Sequence, residues 1–160
     1  MNQFRILAKL QSDDAGHYEK MAEIIERGYV REYPSLAQTF SEELSDDVAD
    51  EVYDILDMFR ALSGGYAALK DKSGIDPGRI LFQGFDGNTE GQHLGYASFL
   101  IHRRGNWPES RDAGSCPSSR GDLDSHCSAL WRYRPMVSRW KESADRQHLT
   151  REEIARIIEM

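Results

Sequence analysis

Apolar residues recur at spacings of three and four along most of this 160-residue chain. This period is typical of helices that bury one face. It predicts helices over about 2–11, 17–30, 35–44, 45–71, 94–101, 128–141 and 150–158. We therefore expect an all-α fold, a single domain over 1–160 built as a bundle of six or seven helices. A long irregular loop, at about 103–124 and rich in Gly, Ser, Pro and Asp, precedes the penultimate helix.

The run Leu94–Ile101 has no clear polar face and follows a Gly-rich turn at 83–90. A helix that is apolar all round is buried on several sides, so we expect this one at the centre of the bundle. Asp86 is a residue type that caps helix N-termini, and we expect it to start this helix. The run is far shorter than the roughly 20 residues that cross a bilayer, so no membrane association is expected.

Helix boundaries are predicted from capping and breaking residues. Ser45 should cap the longest helix, and Thr150 with Glu153 has the capping-box spacing. Tyr33-Pro34-Ser35 should break the chain before a third helix, and Gly64-Gly65 should kink or end the longest one. Pro135 should kink or divide the penultimate helix. Asp124 or Ser125 is the expected cap of that helix.

The net charge of −7 argues against a dedicated nucleic-acid-binding protein, which normally presents a basic face. The charge is also uneven, since an acidic block at 42–57 contains no Lys or Arg and a basic region extends over 103–146. Such runs usually form two solvated faces. The alternative is that the acidic helix of one subunit meets the basic region of another.

The N-terminus lacks the pattern of a secretory signal peptide, so a cytoplasmic location is expected. Two cysteines, Cys116 and Cys127, are too few for a disulfide framework, and a reduced pair is expected in the cytosol.

Metal-binding patterns are incomplete. Glu90 and His93 have the Glu-x-x-His spacing of helical di-iron sites, but such sites need two of these motifs and two further glutamates. Asp86, Asn88 and Glu90 imitate the start of a calcium loop whose twelfth position is Ala97 where a glutamate is required. Cys116, His126 and Cys127 lack the paired spacing of zinc ligands. We expect no metal.

Catalytic patterns are also incomplete. His126 and Cys127 are adjacent, and side chains of adjacent helical residues diverge by about 100°, which makes a mutual hydrogen bond awkward. The chain contains no glycine-rich phosphate loop or dinucleotide fingerprint, so no cofactor is expected and no catalytic set is assigned.

Several segments together resemble the YfbU family of bacterial proteins. The similarity covers nearly the whole chain in order, and the residues that carry it are Ile24-Ile25-Glu26-Arg27-Gly28-Tyr29, Gly84-Phe85-Asp86, Thr89-Glu90, Leu94-Gly95-Tyr96, Ser125-His126, Trp131, Tyr133, Met136, Trp140, Leu149-Thr150, Glu153-Ile154 and Ile157-Ile158. The resemblance implies an all-helical bacterial protein of about this length and implies no particular activity. The loop at 103–124 departs from the family pattern by being longer and richer in Pro and Ser.

Two hypotheses about function remain. The first is a non-enzymatic, self-associating protein that acts through protein–protein contacts or as a regulatory sensor. Its expected homo-oligomer interface lies on the penultimate helix, because aromatic residues and Arg are enriched at interfaces; the residues are Trp131, Tyr133, Arg134 and Trp140. The second is a small-molecule-binding protein or weak hydrolase, with a site formed by Asp86, Asn88, Glu90, Tyr96 and His126.

Overall fold

A computed structural model describes residues 3–10, 14–37, 43–112 and 121–159, and it confirms the all-α class. The described residues contain six α-helices: α1 (Gln3–Leu10), α2 (Ala15–Arg27), α3 (Asp46–Ala68), α4 (Gly91–Ser98), α5 (Leu130–Lys141) and α6 (Arg151–Ile158). They form two compact units, residues 1–43 and 44–160. No helix in these described ranges is both long enough and apolar enough to span a bilayer.

The first unit contains α1, α2 and a 3-10 helix at Val30–Ala37. Gly28, with φ of 66°, ends α2 in the left-handed conformation that glycine adopts without strain. The predicted break at Pro34 is wrong, since Pro34 lies inside the 3-10 helix. The remainder of the helix predicted over 35–44 falls largely outside the described residues.

The second unit is organised around α3, against which α4, α5 and α6 pack. The buried residues of α3 are Val52, Ile55, Leu56, Met58, Phe59, Ala61, Leu62 and Gly65. The expectation that Leu94–Ile101 is the central helix is wrong. That run is divided between α4 and a π-helical turn at Phe99–Arg103, and Phe99 remains 48% exposed. Only Ala97, Leu100 and Ile101 of the run enter the core.

Two of the predicted caps are confirmed. The Ser45 hydroxyl accepts from the backbone N–H of Val48 at 3.3 Å, and Thr150 and Glu153 form a complete capping box. The longest helix does not end at the glycines, because α3 runs uninterrupted through Gly64 and Gly65. A helix tolerates interior glycine at a modest cost when packing holds it in place.

Pro135 does not divide α5, which is continuous from Leu130 to Lys141. The ring of Pro135 and the side chain of Trp131, one turn earlier, are both exposed. Water can therefore reach the side of the helix where proline removes a hydrogen bond, which lowers the cost of the missing N–H.

Candidate functional site

The side chain of Glu90 holds the N-terminus of α5. One carboxylate oxygen accepts from the backbone N–H groups of Ala129 and Leu130, at 2.8 and 2.9 Å, and from the hydroxyl of Ser128 at 2.6 Å. The other accepts from the backbone N–H of Asp86 at 3.0 Å. Glu90 is 4% exposed, so this carboxylate is a buried anion with its hydrogen-bonding capacity used by the fold.

Glu90 caps the N-terminus of α5, the role that the sequence analysis assigned to Asp124 or Ser125. The residue at the N-cap position of α5 is Ala129, whose methyl group cannot accept a hydrogen bond, and the expected cap was therefore wrong. Burial alone would raise the pKa of Glu90. The hydrogen bonds from Leu130, Ser128, Asp86 and Ala129 outweigh it and hold the pKa below its usual value.

Asp86 starts a turn before α4 instead of starting the helix itself. Its carboxylate accepts from the backbone N–H and side-chain amide of Asn88, at 3.3 and 3.2 Å, and from the hydroxyl of Thr89 at 2.5 Å. The Thr89 hydroxyl, offset in part by burial, contributes most to a lowered pKa of Asp86. The helix begins five residues later, at Gly91.

A second segment, 121–127, packs beside this turn. Phe85 and Asp124 form an isolated parallel bridge, and the Asp124 carboxylate accepts from the backbone N–H of Gly87 at 3.2 Å. At Gly84, where φ is 91°, a Cβ atom would lie 1.9 Å from the carbonyl oxygen of Leu123. The two segments can approach this closely only because residue 84 has no side chain.

His126 is held on the surface in a strained conformation. Its φ is 53°, and left-handed backbone is uncommon for residues other than glycine. Its backbone N–H donates to Asp124 at 2.8 Å, and its ring Nδ1 lies 3.4 Å from the other Asp124 oxygen. The neighbouring Cys127 is a free, exposed thiol, while Cys116 lies outside the described residues.

The structure brings together most of the predicted ligand-binding residues. Asp86, Asn88 and Glu90 share one hydrogen-bonded turn, and His126 joins it through Asp124. Tyr96 makes its ring contacts elsewhere, with Tyr53 at 6.2 Å and Phe99 at 6.4 Å. The carboxylates of Asp86 and Glu90 accept hydrogen bonds from groups of the protein itself. This arrangement holds two chain segments and the start of α5 together.

The aromatic residues of α5 divide between core and surface. Tyr133 is fully buried, and its hydroxyl donates to the carbonyl of Gly84 at 3.0 Å. Trp140 is 7% exposed, whereas Trp131 is 65% exposed. Of the aromatic residues predicted for an interface, Trp131 is the one that the chain leaves accessible.

Sequence reasoning did not anticipate that the acidic and basic regions pair within one chain. Arg134 on α5 donates two hydrogen bonds to Glu51 on α3, at 2.7 and 3.0 Å, and Lys141 pairs with Asp54. The half-buried Glu51 also lies 2.9 Å from Nε2 of His93. These four charged residues of the acidic and basic regions are therefore paired without a contact between subunits. Opposite charges at helical spacing on α3 and α5 were the feature of the sequence that could have predicted this pairing.

The first unit has almost no core of its own. Among its described residues, Ala22 alone is buried. An ion pair between Arg5 and Glu26, at 2.9 Å, joins the start of α1 to the end of α2 and shows that they run antiparallel. Six large apolar side chains of this hairpin are 40–75% exposed, and we call them the hairpin surface: Ile6, Leu10, Ile25, Tyr29, Val30 and Tyr33.

The fold therefore defines an all-helical protein with an exposed apolar hairpin and a clamped α4–α5 junction. The family model of the YfbU domain matches residues 1–160, the whole chain. The chain belongs to the YfbU family, as the sequence resemblance indicated.

Proposed function

We propose that this protein is a non-enzymatic, cytoplasmic protein that self-associates through the hairpin surface and acts as a protein-interaction or regulatory domain. The observation that carries the proposal is the exposure of six large apolar side chains on a unit that buries only Ala22 among its described residues. Several large apolar side chains left open to water on one small unit indicate an interaction site.

The size of the first unit favours a second copy of this chain as the partner. It spans 43 residues, close to the limit of about 40 below which domains usually need disulfides, metals or oligomerisation for stability. Two antiparallel helices cannot enclose a core. Two such hairpins can, in the manner of a four-helix bundle.

The charge of the hairpin is compatible with self-association. Residues 3–33 carry five basic and six acidic side chains, while the whole chain has a net charge of −7. Two hairpins therefore approach each other with little net repulsion. Leu10, the most exposed large apolar side chain, would become buried and would contribute roughly 1.5–3 kcal/mol per copy.

Sedimentation equilibrium over a wide range of protein concentration tests this proposal. The expected result is a dimer or a higher even-numbered oligomer that dissociates on dilution. A monomer at every concentration would exclude it.

The second candidate function is a small-molecule site or weak hydrolase at the Asp86 cluster, favoured by the strain and exposure of His126. Asparagine tolerates left-handed backbone, so His126→Asn removes the imidazole while the local fold persists. Loss of p-nitrophenyl acetate hydrolysis in this variant supports the site. The site is excluded if the variant hydrolyses the ester at the wild-type rate. It is also excluded if both proteins are no faster than free imidazole.

A further inference from the structure

A cleft of about 530 Å³ lies between α3 and the segment that joins α5 to α6. It is lined by residues of α3, of α5 and of the joining segment: Asp57, Arg60, Ala61, Gly64, Trp140, Arg146, Gln147 and His148. This volume lies within the roughly 300–1,000 Å³ of typical small-molecule sites. All of these residues are distant in sequence from the Asp86 cluster and belong to the second unit.

Gly64 lines the cleft at a point where the space beside its backbone is open. Its neighbour Gly65 is closely packed, because a Cβ there would lie 3.1 Å from Ile154 Cδ1 and 3.2 Å from the Leu149 carbonyl oxygen. At Gly64 a Cβ would meet nothing within 4 Å. Glycine inside a helix costs roughly 0.5–1 kcal/mol relative to alanine. A larger side chain at position 64 would therefore extend into the cleft without a clash at its Cβ.

The apolar wall of the cleft is fixed in place. The indole N–H of Trp140 donates to the carbonyl oxygen of Arg146 at 2.9 Å, and the Arg146 guanidinium lies 5.8 Å from the centre of the indole ring. Ala61 completes the wall and is 6% exposed. These contacts hold the indole ring at the wall of the cleft.

Two guanidinium groups and the carboxylate of Asp57 line the cleft, and this carboxylate accepts from the indole N–H of Trp107 at 2.9 Å. Arg60 is anchored by Glu109, at 2.6 Å from its Nε, and lies 5.1 Å from the ring centre of Trp107. Arg146 is anchored by a hydrogen bond from one terminal nitrogen to the carbonyl of Lys141 at 3.1 Å. A guanidinium has five N–H donors, so anchoring by one nitrogen leaves the planar fork suited to a carboxylate or phosphate.

We propose that this cleft binds a small organic anion with an aromatic ring, whose ring lies along Trp140 and Gly64 and whose carboxylate or phosphate is held by Arg60 and Arg146. The inference stands whether or not the protein self-associates. Benzoate and phenyl phosphate are minimal probes of the two anion types, and benzyl alcohol is the neutral control.

Titration of ¹⁵N-labelled protein with each probe, followed by ¹H–¹⁵N NMR, tests the site. We expect saturable shifts of the Trp140 indole N–H and of the Gln147 and His148 backbone amides with at least one anion. Benzyl alcohol should bind about tenfold more weakly or worse, because it forms no charge-assisted hydrogen bonds. Tighter binding of phenyl phosphate or of benzoate identifies the anion type.

Two leucine variants provide matched controls. Gly64→Leu fills the cleft from within α3 and should weaken binding at least about tenfold. Gly95→Leu places the same side chain on α4, where a Cβ also meets nothing within 4 Å, and should leave affinity unchanged. Both variants should fold, since leucine favours helices more than glycine does. Absence of saturable shifts at Trp140 with both anions, equal affinity for benzyl alcohol, or unchanged affinity in Gly64→Leu would each overturn the proposal.

Discussion

The Glu90 carboxylate accepts a hydrogen bond from the backbone N–H of Leu130 at 2.9 Å, across 40 residues of sequence. One side chain at the entry of α4 thereby caps the N-terminus of α5 and compensates for Ala129, which has no capping group. A negative charge at this end of a helix also interacts favourably with the helix dipole. One buried anion thus links the entry of α4 to the start of α5, in addition to the packing of both helices on α3.

Replacing Glu90 with glutamine should destabilise the second unit by about 1–3 kcal/mol, because an amide is a weaker acceptor and turns an N–H₂ group toward other donors. Urea denaturation measures the change in the free energy of unfolding. Glu142→Gln is the control, since Glu142 is exposed and lies 3.6 Å from Arg156. That variant should change stability by less than about 0.5 kcal/mol, and an equal loss in both variants would contradict the capping role of Glu90.

The same glutamate should make stability depend on acid pH. Its pKa is lowered in the fold, so its stabilising contribution is complete above the unfolded value of about 4.3 and is lost as pH falls through the folded value. The difference in unfolding free energy between wild type and Glu90→Gln should therefore be constant from pH 7 to 5 and should shrink below about pH 4. A difference that persists unchanged at pH 3 would show that the charge of Glu90 contributes nothing.

Alanine at the two adjacent glycines of α3 should have opposite effects. Gly64→Ala should raise stability by roughly 0.5–1 kcal/mol through helix propensity. Gly65→Ala should lower it, because the new methyl group would press on the Leu149 carbonyl, which is held beside the Thr150 cap. Thermal unfolding of both variants compares them directly, and stabilisation by both would mean that the α3–α6 contact yields easily.

The ion pair between Arg134 and Glu51 should couple α3 to α5. A double-mutant cycle with Glu51→Gln and Arg134→Gln should give a coupling energy of roughly 0.5–1 kcal/mol, since both residues remain partly exposed and the geometry is bidentate. The coupling should fall with added salt. A coupling of zero at low salt would show that this pair contributes nothing to the contact between the two helices.

Capping residues predicted the starts of two helices, whereas residues expected to break helices did not predict helix ends. Ser45 and the Thr150–Glu153 capping box start α3 and α6 as expected, because each cap binds backbone within three residues. The cap of α5 could not be predicted in this way, since its acceptor is 40 residues earlier in the chain. Asp86, Asn88 and Glu90 lie in one turn that His126 joins through Asp124, while Tyr96 makes its ring contacts elsewhere. The hydrogen-bond partners of these residues were not visible in the sequence.

The position of α4 shows why burial was harder to predict. Leu94–Ile101 lacks a polar face, yet Gly95 and Phe99 are exposed and α3 occupies the centre. A glycine counts as apolar in a pattern without requiring burial, and exposed aromatic residues are common on protein surfaces. The acidic residues of α3 also obscured its central role, since its charged face pairs with α5 within the same chain.

The most direct test of self-association through the hairpin surface is sedimentation velocity of Leu10→Asp against Leu81→Asp. Leu10 is 75% exposed on α1, and Leu81 is 53% exposed in the second unit, so both changes place the same charge on an exposed apolar position. We predict that Leu10→Asp sediments as a monomer at concentrations where wild type and Leu81→Asp form the oligomer. An oligomer that survives in Leu10→Asp, or that is lost equally in both variants, would contradict the assignment of this surface.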